Sequence, residues 1–121
     1  MSAVAALLSL ALFVLFAGSA IQKFRFTPLT ASTADHLEVS KNFLQRVAGV
    51  ELLGALGLVA GLSAVTGAWA IVNEAAAGGL VLLAIGAIVF HRRAGDGFKA
   101  YLPALVAGLA CAVELALRLN A

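Results

Sequence analysis

The sequence offers little to build chemistry from. Its 121 residues include one cysteine, two prolines, one tryptophan and one tyrosine, and only 12% are charged. With Cys111 alone there is no intramolecular disulfide and no Cys-x-x-Cys pair, which excludes a disulfide-forming membrane oxidoreductase built on thiol chemistry. No lysine or arginine precedes Lys23. The first apolar run therefore lacks the basic region of a signal peptide, although Ala17, Gly18, Ser19 and Ala20 would suit cleavage, and it is read as an uncleaved span. The net charge of +2 resides in membrane-flanking residues, so it speaks of orientation rather than of nucleic acid.

What is abundant is apolar surface. The chain is 63% hydrophobic with a mean hydropathy of +1.06, against about 45–50% apolar residues in soluble domains. Four runs, residues 3–21, 43–65, 67–90 and 101–119, approach the ~20 residues that cross a hydrocarbon core of about 30 Å. Continuous runs rich in Ala and Leu favour helix over alternating strand. They predict an all-α, four-transmembrane-helix bundle, TM1 to TM4, forming a single membrane domain over residues 1–121, since no stretch outside the helices is long enough for a second core. Between TM1 and TM2, residues 24–42 form either a solvated loop or a short surface helix capped by Ser32 or Thr33, with Leu37 and Phe43 inward.

Seven of the eight Lys and Arg residues, Lys23, Arg25, Lys41, Arg46, Arg92, Arg93 and Lys99, fall on one side, and Arg118 on the other. The positive-inside rule then places both loops that carry them in the cytoplasm and both termini outside it, in a multi-pass protein of the cell membrane. Gly54, Gly57 and Gly61 fall within about 60° of one another on TM2, and Gly108 belongs to a small-residue stripe with Ala104, Ala112 and Ala116 on TM4. Both are expected to be close-packing faces, within one chain or in a homo-oligomer.

Three acids lie inside the spans. A mid-helix acid costs about 2.5–3.5 kcal/mol on insertion scales, so each calls for a partner, and a functional role is the first reading of such a group. Glu51 belongs to an inner layer with Lys23 and His91, either as a structural salt bridge clamping TM1 to TM2 or as a substrate contact. His91 also reads as a helix C-cap, because no paired intramembrane histidines exist to ligate haem. Glu74 and Glu114 reach a similar depth in the outer half, with Arg118 one turn beyond Glu114. They are expected to share a polar pocket that opens outward and in which at least one carboxyl keeps its proton. The bland reading is that each acid bonds a neighbouring helix, with Arg118 neutralising Glu114. No catalytic residue and no metal-ligand set is assigned.

The segments Gly18–Lys23 (GSAIQK), Gly49–Leu58 (GVELLGALGL) and Gly86–Arg92 (GAIVFHR) together resemble the DoxX-like family of small four-helix membrane proteins, over most of the chain. The family's Lys, Gly-x-Glu and His positions fall here on Lys23, Gly49 with Glu51, and His91, whereas Glu74 and Glu114 are outside its motif. The family takes its name from a subunit of a thiosulfate:quinone oxidoreductase, so the resemblance implies a redox-associated membrane subunit. The sequence itself supplies no flavin, haem, iron–sulfur or nucleotide site. The expected function is a non-catalytic membrane subunit or scaffold that binds a quinone or lipid-like molecule and docks a redox protein partner through its basic inner face. The alternative is a small proton-coupled carrier. Small multidrug resistance transporters are similar in length, but their essential acid sits in TM1, where this chain has none. An enzyme in its own right is the weakest reading, because no nucleophile or cofactor loop can be assembled.

Overall fold

A computed structural model describes residues 3–62 and 67–120. The chain forms five helices: α1 (Ala3–Arg25), α2 (Pro28–Leu37), α3 (Lys41–Ala60), α4 (Ala68–Arg93) and α5 (Phe98–Leu119). All but α2 are long and apolar enough to cross a membrane, as the four runs predict. Among the described residues there is no strand. The expected end of TM2 at residues 63–65, and Thr66 of the turn after it, lie outside the described residues.

The connection before α3 is the short helix α2, but its cap is neither Ser32 nor Thr33. Thr27 is the N-cap, with its side-chain oxygen accepting the Thr30 N–H at 3.3 Å and Pro28 opening the first turn. Pro28 suits that position because its missing N–H would be unsatisfied there anyway. Glu38 ends the helix in the left-handed region, φ 58°. Ser40 then caps α3 by accepting the Phe43 N–H at 3.0 Å. Leu37 is buried as expected, whereas Phe43 keeps 38% of its surface exposed and packs at a tilt against Phe90, ring centroids 5.4 Å apart.

Around the bundle, α1 packs on α3, α3 on α4, α4 on α5 and α5 back on α1. Each long helix turns one stripe inward at helical spacing. On α1 it is Ala5, Ser9, Leu12, Phe16 and Ala20, and on α4 it is Ala70, Asn73, Ala77, Leu80 and Ala84. The shared core is Leu12, Phe16, Ala55, Leu58, Ala77, Leu80, Ala107 and Cys111. The outward faces keep Leu7, Val14, Leu53, Trp69 and Leu82 exposed, as a lipid solvent requires.

Lipid tails are as apolar as leucine, so the helices associate through close packing and hydrogen bonds rather than hydrophobic burial. The glycines supply that closeness within this chain. A Cβ on Gly54 would sit 2.6 Å from Leu80 of α4, and one on Gly57 would sit 2.8 Å from Ala76. A Cβ on Gly61 would run into the Trp69 carbonyl and Asn73, while one on Gly108 would meet Ala84 at 2.9 Å. The stripe expected on α5 is only half right. Ala112 and Ala116 are exposed, and the inward line is Ala107, Cys111, Glu114 and Arg118, because the helix turns its polar pair toward the other helices.

Gly61→Ala drives a methyl into backbone that cannot yield and should destabilise the protein by about 1–3 kcal/mol, as overpacking does. Gly49→Ala meets nothing within 4 Å and should stay within about 0.5 kcal/mol of the parent. Thermal unfolding in one detergent compares the two; equal melting would contradict the close-packing assignment.

Candidate functional site

Among the described residues two polar groups lie inside the bundle, one toward each end, and a third gathers at the basic end from α2, the last turn of α4 and the loop after it. Toward the basic end, Lys23 Nζ of α1 lies 2.6 Å from Glu51 Oε1 of α3 and donates a second bond to Ser19 Oγ, also 2.6 Å. The Lys23 and Glu51 side chains are 22% and 6% exposed. The pair thus ties α1 to α3 across the seam with a charge-assisted bond, shielded from water. Glu51 Oε2 is buried with no hydrogen-bond partner.

His91 is not brought to that pair. Its Nδ1 lies 2.7 Å from Asp96 Oδ2, and His36 Nε2 of α2 lies 2.5 Å from the other carboxylate oxygen. Gly95, with φ 83°, turns the chain just after α4, which carries Asp96 back to the imidazole five residues earlier. The two imidazole bonds, that from His91 foremost, hold the Asp96 carboxyl below its ordinary value of 3.8. Its contribution to stability is then present above the ordinary aspartate range and is lost as pH falls through the lowered value. Mechanically, Asp96 pins the exposed end of α2 to the α4–α5 connection.

The group at the end away from the basic loops joins every long helix. Glu114 of α5 is fully buried, and its Oε1 accepts from Ser9 Oγ of α1 at 2.6 Å and from Arg118 Nε at 2.9 Å. The Arg118 guanidinium also donates to the Gly61 and Leu62 carbonyls, both at 2.8 Å, and to Ser9 Oγ at 3.3 Å. Those carbonyls lie just past the end of α3 at Ala60, where a helix leaves acceptors for a side chain to meet. Asn73 of α4 closes the group, with Nδ2 donating to the Leu58 carbonyl at 2.9 Å and reaching Ser9 Oγ at 3.5 Å. Glu114 Oε2 and Asn73 Oδ1 are buried without a hydrogen-bond partner.

Glu74 is absent from this group, which corrects the expectation of a pocket shared with Glu114. At about 100° per residue, Asn73 occupies the inward stripe, and Glu74 points along the flank of α4. That flank faces α5, since a Cβ added at Gly78, one turn on, would lie 4.0 Å from Leu115. Glu74 is half-buried and forms no hydrogen bond or ion pair among the described residues. Ser9 and Asn73 were not anticipated, being neutral residues in strongly apolar runs. Their signal was positional, since each occupies the inward stripe of its helix.

The chemistry open to these groups is limited. Ser9 faces a carboxylate and a guanidinium but no general base of the histidine type, and Cys111 is fully buried. Among the described residues no cluster of His, Cys, Asp or Glu is placed to hold a metal ion. The remaining feature is a groove of about 370 Å³ between α3 and α4, lined by Val50, Leu53, Gly57, Val72, Ala76 and Gly79 among others. It is apolar, and Val50, Leu53 and Val72 are exposed along it.

Four membrane-spanning helices closed by intramembrane ion pairs define a multi-pass membrane protein. The DoxX-like family model matches residues 6–113, and the chain belongs to that family. No curated protein and no solved structure matches it.

If Lys23 and Glu51 form a pair, Glu51→Ala should cost stability toward the low end of the about 3–5 kcal/mol seen when one partner of a buried pair is removed. Lys23→Ala added to it should cost little more. Additive losses in a thermal-unfolding cycle would contradict the coupling.

Proposed function

We propose that the protein is a non-catalytic membrane subunit or scaffold that binds a quinone or lipid-like molecule along the α3–α4 groove. Its basic face, turned to the cytoplasm with both termini outside, docks a redox partner. The groove carries this reading. Gly54 and Gly57 form its close-packed floor, Gly79 leaves open space on α4, and the apolar slot they line measures about 370 Å³. Such a slot suits an extended hydrocarbon or isoprenoid chain better than a polar solute. The charged groups support a rigid role, because Glu51 and Glu114 are each tied to a cation.

A small proton-coupled carrier is the second reading, and Glu74 favours it as a half-buried acid with no ion pair among the described residues. Its weakness is that the groove lining contains no ionisable residue.

Gly79 gives a direct test, since it lines the groove and nothing lies within 4 Å of an added Cβ. Gly79→Phe should fill the slot without straining the bundle. Photoreactive quinone and acyl-chain probes in liposomes should label residues 50–57 and 72–80 of the parent, and the variant should lose labelling by about tenfold, equivalent to about 1.4 kcal/mol. Unchanged labelling in a folded variant would contradict the groove reading. Proton-coupled uptake abolished by Glu74→Gln would favour the carrier instead.

A further inference from the structure

The groove has a charged end. The contacts of Gly54 with Leu80, Gly57 with Ala76 and Phe43 with Phe90 set α3 and α4 antiparallel, so their seam runs from the groove to the basic end of the bundle. On α3, Val50, Phe43 and Arg46 fall within about 60° of one another, and on α4 so do Gly79, Phe90 and Arg93. The seam stays open between slot and aromatic pair, because Gly86 has nothing within 4 Å of an added Cβ. A molecule lying in the groove would therefore reach Phe43 and Phe90 with an arginine on either side.

Those arginines are uncommitted in charge. Arg93 lies over the Phe90 ring, its guanidinium carbon 4.7 Å from the centroid, and forms no hydrogen bond or ion pair among the described residues. Arg46 is exposed and forms no hydrogen bond or ion pair among the described residues. The nearby acids are engaged elsewhere, Glu51 by Lys23 and Asp96 by His91 and His36. No ion pair joins either arginine to Asp35 or Glu38 of α2. Lys41 is turned to the other flank, over Phe26 at 5.3 Å.

We propose, resting on the groove reading above, that the occupant is an anionic phospholipid, with an acyl chain along α3 and α4 and its phosphate between Arg46 and Arg93. Long arginine side chains reach head-group level while their stems cover apolar surface. Their planar donor forks match phosphate oxygens. A neutral quinone would leave both charges unanswered, and a choline head group would add a third cation beside them.

The test uses the full chain in detergent micelles containing equimolar phosphatidylglycerol and phosphatidylcholine with identical acyl chains, read by native mass spectrometry. The parent should retain phosphatidylglycerol over phosphatidylcholine by about tenfold. Arg46→Gln with Arg93→Gln should remove that preference while phosphatidylcholine binding persists. Arg46→Lys with Arg93→Lys should keep most of it, and Arg25→Gln, at another exposed arginine, should change nothing. Gly79→Phe should lower both lipids together. No preference in the parent, or a preference that survives the double glutamine variant, would overturn the anionic assignment while leaving the groove reading intact if Gly79→Phe still lowers binding. Both lipids bound undiminished by Gly79→Phe would overturn the groove reading and this placement with it. A dimer without lipid adducts that Gly79→Phe turns into monomer would mean that the groove seats a second copy of the chain.

Discussion

The half of the bundle away from the basic loops depends on where the Arg118 guanidinium goes. A cation inside a membrane span is costly unless it is paired and hydrogen-bonded. Here it meets both conditions, bonding Glu114 on its own helix, Ser9 on α1, and the Gly61 and Leu62 carbonyls at the end of α3. Carbonyls at a helix end need such a donor in a medium that offers no water. One side chain thus neutralises a buried acid and caps a helix. Removing it would leave an uncompensated carboxylate and unbonded carbonyls together, a larger penalty than the loss of one contact.

The rest of that half follows from this bond. For α3 to end where Arg118 can reach it, α4 must begin hard against Gly61, and only a residue without a side chain lets Asn73 and the Trp69 carbonyl come that close. Asn73 is then within reach of the Leu58 carbonyl and of Ser9, so α4 joins the group that α1, α3 and α5 already share. At the basic end the attachments are pairwise: Lys23 with Glu51 joins α1 to α3, and Asp96 with His36 holds α2. The α3–α4 seam between the two ends carries an apolar groove lined by Gly54 and Gly57 on α3 and Gly79 on α4.

The four spans were legible because their length and continuous apolarity are dictated by the bilayer itself. The Lys23–Glu51 contact was legible from depth, since a charge on each of two neighbouring helices at one level leaves few other partners. Depth alone misled for His91, where a turn at Gly95 returned Asp96 to it from a loop that carried no such expectation. It misled again at Glu74. There the carboxylate lies on the flank of α4, and the neighbouring Asn73, at the inward position of the stripe, enters the network. Ser9 and Asn73 were hard to single out because a neutral polar residue costs little in an apolar run and leaves no mark in composition. The groove was not legible, since its lining combines residues of two helices, Val50 and Leu53 with Val72 and Gly79, whose pairing neither run specifies alone.

The most direct measurement is the unfolding free energy of Arg118→Met in a single detergent, set beside Arg25→Met at an exposed position. Loss of the Arg118 guanidinium should destabilise the protein by about 3–5 kcal/mol, while the Arg25 change should remain within about 0.5 kcal/mol. An Arg118→Met protein as stable as the parent would contradict the claim that this side chain holds together the helix ends away from the basic loops.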